Sequence, residues 1–121
     1  MDLNELENII LTDIVKYQLK ANNIDLRLQL QNLEVIKREY TGIGIYVHFQ
    51  TINREDLNEN LDYKKRYFAS PIEIILDTLE YQISFDLNLN QKGHFDFLEI
   101  VSNEGNWNGE YNEIKTTANT V

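Results

Sequence analysis

Few side chains in this chain can do acid–base or metal chemistry, and their types decide what chemistry is open. There is no cysteine, which removes disulfides, thiol nucleophiles, iron–sulfur clusters and zinc fingers. Histidine occurs only at His48 and His94, so whatever metal chemistry remains rests mostly on carboxylates. His94 and Asp96 stand two apart, which on a strand puts both on one solvent-facing side, where they could hold a metal or move a proton. A His-x-Asp pair beside a turn is also a common surface feature, and no third ligand is visible in the sequence. Glu99 sits between Leu98 and Ile100, and alternation from Phe95 and Phe97 aims it at the core. A carboxylate there needs a base such as Arg38, or hydrogen bonds from the 40–44 bend, to compensate its desolvation. A bulge after Phe97 would instead return Glu99 to water. Glu39, Tyr40 and His48 flank a bend at Thr41-Gly42, so Glu39, His48 and Glu99 can be drawn as a small hydrolytic site, although spacing alone does not bring them together.

Other chemistries lack their patterns. No serine occupies a nucleophile elbow, and neither a P-loop nor a His-Glu-x-x-His pair occurs. Gly42-x-Gly44 lacks the third glycine and the following helix of a dinucleotide fingerprint. The sequence therefore assigns no catalytic residue, metal or cofactor, and a binding role is expected ahead of an enzymatic one.

Charge narrows the class of partner. Twenty acidic against eleven basic residues leave a net charge of −9 and a pI near 4.6. Such a field disfavours nucleic acid and anionic membranes as partners. Residues 67–121 hold nine acids and only two bases, Lys92 and Lys115, while bases cluster at Lys37-Arg38 and Lys64-Lys65-Arg66. The plain reading is a surface that keeps a small domain soluble. The sharper one is an acidic face that steers a basic protein partner. Asp86, Asn88, Asp96 and Glu104 are the candidate residues of that face, with Trp107 as an aromatic anchor. Trp107, set among Asn and Gly, suits a lid over the core's edge as well.

These residues need elements to position them, and 121 residues are one domain's worth. Leu3, Leu6, Ile10, Ile14 and Tyr17 draw one apolar stripe, which predicts a helix over 3–21. Asp2 with Glu5 has the form of a capping box, and Asn22-Asn23 suits the helix end. Residues 25–32 fit a strand or a helical turn equally. A strand follows over 33–39, and then a second in which Ile43, Ile45, Val47 and Phe49 share the core face. Residues 51–70 form a charged connection with room for a helical turn. Strands are expected again over 72–76 and 79–89, the latter with Leu79, Tyr81, Ile83, Phe85, Leu87 and Leu89 inward. Gln91-Lys92-Gly93 suits a three-residue hairpin loop with Gly93 left-handed, pairing Leu89 with Phe95, Asn88 with Asp96 and Leu87 with Phe97. A short last strand over 111–115 precedes a tail, 116–121, expected to fray. The fold class is α+β, a single domain with an N-terminal helix packed on a mostly antiparallel sheet of about five strands. No apolar run is long enough to span a membrane, and the start is acidic where a secretory signal is basic, so a cytoplasmic location is expected.

Two segments carry a resemblance. Arg38-Glu39-Tyr40-Thr41-Gly42-Ile43-Gly44-Ile45-Tyr46-Val47-His48-Phe49 resembles the R-E-x-T-G-x-G-F-x-x-x-F segment of a group of small uncharacterised bacterial proteins. Phe95-Asp96-Phe97-Leu98-Glu99-Ile100, with Gly105 and Trp107, is similar to their later L-E strand and the acidic loop ending in tryptophan. Ile45 stands where that pattern has an aromatic, and no proline follows Trp107. Several members are regarded as immunity-like or as neighbours of toxins, and no enzymatic activity is attached to the group. The resemblance implies an immunity-type inhibitor of a basic bacterial toxin, and one structural corner shared by Glu39, Gly42, Gly44, Leu98 and Glu99. A structural or homo-oligomeric bacterial protein, or the small hydrolase drawn above, are the alternatives.

Overall fold

The computed structural model of the chain describes residues 1–52 and 67–117. Helix α1 (Glu5–Asn22) opens on a capping box, as expected, but two residues later than Asp2 and Glu5 would place it. Asn4 Oδ1 accepts from Glu7 N at 2.8 Å, and Glu7 Oε1 accepts from Asn4 N at 2.9 Å. The first two residues are used elsewhere. Met1 exchanges two backbone hydrogen bonds with Val35, each 2.9 Å, and the Asp2 carbonyl accepts from Arg38 Nη2. Asn23 ends the helix in the left-handed conformation at φ 55°. The buried face is Leu6, Ile10, Leu11, Ile14 and Val15; Tyr17 lies off it, and Gln18 goes under instead, donating to the Ala69 carbonyl.

Residues 25–32 resolve into a short helix, α2 (Arg27–Gln31), followed by β1 (Leu33–Tyr40) and β2 (Gly44–Thr51). Later come β3 (Tyr67–Phe68), β4 (Glu73–Leu76), β5 (Ser84–Leu89), β6 (Phe95–Val101) and β7 (Ile114–Thr117). Five strands form one antiparallel sheet in the order β1-β2-β6-β5-β3, and β4 pairs with β7 in a separate two-stranded sheet. The fold is α+β, and the apolar side of α1 joins the inner face of the sheet in one cluster containing Val35, Val47, Leu87, Leu98 and Ile100.

Three expectations change. The strand over 79–89 begins only at Ser84, and Tyr81 is exposed rather than inward. Carboxylates compete for the backbone there: Glu104 Oε1 accepts from Glu80 N and Tyr81 N, and Asp77 Oδ1 accepts from Asn112 N and Glu113 N. Ile43 lies in the β1–β2 connection, 47% exposed, and not on the core face. At the far end, Thr116 and Thr117 pair with Ile74 and Glu73 instead of fraying. The rest of the predicted tail, and most of the charged connection with its helical turn, lie outside the described residues.

The β5–β6 hairpin decides which side chains reach the site. Gly93 is left-handed at φ 81°, Asn90 N donates to His94 O, and Leu89 faces Phe95, all as the loop chemistry predicts. The register then shifts: Asn88 faces Phe97 and Leu87 faces Leu98, leaving Asp96 as the extra residue of a β-bulge. From that point Leu98 and Ile100 point inward and Phe97 and Glu99 outward. The bulge exchanges a carboxylate for aliphatic side chains in the core, which is its physical reason.

Candidate functional site: the outer face of the sheet

Antiparallel register sets the outer face in rungs. Glu39, Tyr46, Glu99 and Asp86 lie side by side across β1, β2, β6 and β5. Lys37, His48, Phe97 and Asn88 form the next rung. The alternation that buries Ile45, Val47 and Phe49 turns Tyr46 and His48 to this side, and the Asp96 bulge adds Phe97 and Glu99.

Within the rungs, Glu39 Oε1 is 3.1 Å from Lys37 Nζ and 2.7 Å from His48 Nε2. The Lys37 hydrogen bond and charge, and after them His48, hold the Glu39 carboxyl below its usual range. His48 Nε2, although this close, makes no aligned hydrogen bond there. Hydrogen bonding to the neighbouring Glu99 and the Glu99 charge raise the Tyr46 pKa. The rings of Tyr46 and Phe97 meet edge-on, centroids 5.6 Å apart and planes at 78°. Asp86 is pushed above the ordinary aspartate range, first by desolvation and then by the Glu99 charge beside it.

The sequence candidates separate on this map. Glu39 and His48 meet directly, and Glu99 is reached only through Tyr46, one strand over. Glu99 is half-buried on the outer face, not in the core, and Arg38 does not hold it. Arg38 lies opposite Val47 on the inner side and binds Glu7 through two hydrogen bonds of 2.6 and 2.8 Å. His94 and Asp96 do not form a solvent-facing pair: His94 is buried in the hairpin turn, while the bulge leaves Asp96 exposed. Asp86 and Asp96 are exposed on the acidic side of the molecule, but Asn88 is only 7% exposed. Glu104 is occupied with the Glu80–Tyr81 backbone, accepting from both N–H groups. Trp107 is no anchor. It is 5% exposed, its Nε1 donates to the Glu110 carbonyl and its backbone N to Gly42 O, so it closes the core's edge.

The corner expected of the two quoted segments is built differently. Gly42 is left-handed at φ 92°, and a Cβ on Gly44 would lie 2.2 Å from the Ile100 carbonyl oxygen. Their neighbours are Trp107, Val101 and Ser102, whose N donates to Ile43 O. Leu98 and Glu99 sit farther along β6, opposite Val47 and Tyr46.

Tyr46, Phe97 and Lys37 are the site residues that the sequence reading missed. Tyr46 shares the polar side of β2 with His48, a signal that alternation carries; Phe97 has none without the bulge. Chemically, the arrangement stabilises Glu39 as an anion and Tyr46 in its protonated form. No three His, Asp or Glu among the described residues gather to hold a metal ion. No family model matches this chain, and neither a curated protein nor a solved structure matches it.

Proposed function

We propose that the chain is a non-enzymatic binding protein whose outer sheet face captures a basic protein, in the manner of an immunity-type inhibitor of a basic bacterial toxin in the cytoplasm. The observation that carries this reading is the direct cross-strand pairing of Asp86 with Glu99. Like charges placed opposite one another destabilise an isolated sheet. Here they persist in a chain of net charge −9, flanked by Glu39 and the half-buried Tyr46 and Phe97. A cationic partner relieves that repulsion on binding, and the field speeds its capture in a salt-dependent way.

The test is affinity capture from the source cells at low salt, with wild type and the Asp86→Asn/Glu99→Gln double variant in parallel. A basic protein that the wild type retains and the double variant loses supports the reading. Recovery of the same neutral or acidic partner by both overturns it. The rival with an observation of its own is self-association, because Ile36 and Tyr40 are 52% and 60% exposed on the edge strand β1. A concentration-dependent dimer that survives the double variant favours that rival.

A further inference from the structure

The outer face is not uniform. At the β3 end of the sheet, Tyr67, Asn88, Asn90, Gln91, Asp96 and Phe97 line one open depression of about 530 Å³. Three features set it apart from the carboxylate rung. Tyr67, on the edge strand, is 63% exposed and offers its ring to the depression's rim. Phe97 is fixed at the other side by its edge-on contact with Tyr46. Between them, the β-bulge delivers Asp96, the one carboxylate in the lining, outside the regular ladder. Bulges re-aim side chains in this way, and they concentrate next to functional sites. Lys92, in the same hairpin, lines an adjoining depression with His94, the two meeting at Asn90 and Gln91.

We propose that this depression receives an arginine side chain of the basic partner, an inference that rests on the binding role above. A guanidinium is flat, so it can lie against the Tyr67 and Phe97 rings, where a cation is attracted to the aromatic face. Its N–H groups fan out in the plane and match a carboxylate flanked by side-chain amide oxygens, here Asp96 with Asn88 and Gln91. A lysine ammonium has the charge but neither the plane nor the fork. The acidic rung of Glu99 and Asp86 thus attracts any cation, and the depression selects among them.

The experiment is an amide NMR titration of the full chain with a capped tri-arginine peptide and, separately, a capped tri-lysine peptide. The expected result is saturable shifts centred on Tyr67, Asn88, Asp96 and Phe97, with the arginine peptide binding several-fold more tightly than the lysine peptide. Asp96→Asn, an exposed and nearly isosteric change, weakens the arginine peptide by roughly five- to tenfold while the rest of the spectrum stays folded. Tyr67→Leu keeps apolar bulk, removes the ring, and weakens it by roughly two- to fivefold. Equal affinity for the two peptides, or shifts centred on Asp86 and Glu99 with Asp96→Asn silent, overturns the arginine site and leaves the basic-partner reading standing. No saturable shift with either peptide at low salt overturns both.

Discussion

The two faces of the five-stranded sheet treat charge in opposite ways. On the inner side, Glu7 is 1% exposed yet fully engaged, gripped by Arg38 Nε and Nη2 while it also accepts from the Asn4 backbone. Gln29, 2% exposed, donates to the Gly93 carbonyl and accepts from Phe95 N, tying α2 to the β5–β6 hairpin where the ladder ends. On the outer side, Asp86 and Glu99 stand together with no base across from them in the rung. Buried polar groups that meet every partner position the fold. Exposed like charges set opposite one another, with no base in their own rung, do no such work for the fold.

The contrast can be broken by substitution. Arg38→Ala leaves the buried Glu7 carboxylate without its counter-charge and should cost about 3–5 kcal/mol in urea unfolding. Replacing both partners by leucine should restore much of that loss, because the cost lies in the orphaned charge and not in the missing pair. Gln29→Ala strands a carbonyl and an N–H in the hairpin and should cost about 2–3 kcal/mol. Gly44→Ala, at the joint between β2 and β6, forces a methyl against the Ile100 carbonyl and should cost about 1–3 kcal/mol.

The smallest effect is the sharpest test of the outer face. Asp86→Asn should change stability by no more than about 0.5 kcal/mol. Its pH dependence has a definite sign. Asp86 titrates higher in the folded chain than its ordinary value of 3.8, so its favourable contribution is present below that value and lost as pH rises through the raised one. The asparagine variant escapes that loss, so its stability relative to wild type should improve as pH rises from below 3.8 through the raised value. A loss comparable to that of Arg38→Ala would mean that the outer carboxylates are structural after all.

What the sequence made legible was local. The stripe of α1, the alternation of β2 and the glycine of the Gln91-Lys92-Gly93 loop each announce themselves within a few residues, and each stands in the structure. The errors came from partners distant in the chain. Arg38 looked like the natural support for Glu99, but Glu7 reaches it from the first turn of α1. The candidate site was half legible: Glu39 and His48 flank one bend and do meet, whereas Tyr46 and Glu99 are joined only by the pairing of β2 with β6. The bulge itself is legible, since Leu98, Ile100 and Val101 break the alternation, but the pattern suggests it after Phe97, whereas the register places it at Asp96.

The strand order carries a consequence for the time course of folding. The β1–β2 and β5–β6 pairs are each closed by a short turn, whereas β2 and β6 must find one another across a long stretch of chain. Hairpins form in microseconds, and non-local pairings wait for the entropy of a large loop to be overcome. The line between β2 and β6 is therefore a late seam between two early units. Tyr46 and His48 lie on one side of it, Phe97 and Glu99 on the other, so each unit arrives with half of the outer surface. A chain with both hairpins formed but undocked has strand content without the Tyr46–Glu99 pairing or the Tyr46–Phe97 ring contact. In a refolding experiment, tyrosine fluorescence should lag the far-ultraviolet circular dichroism signal.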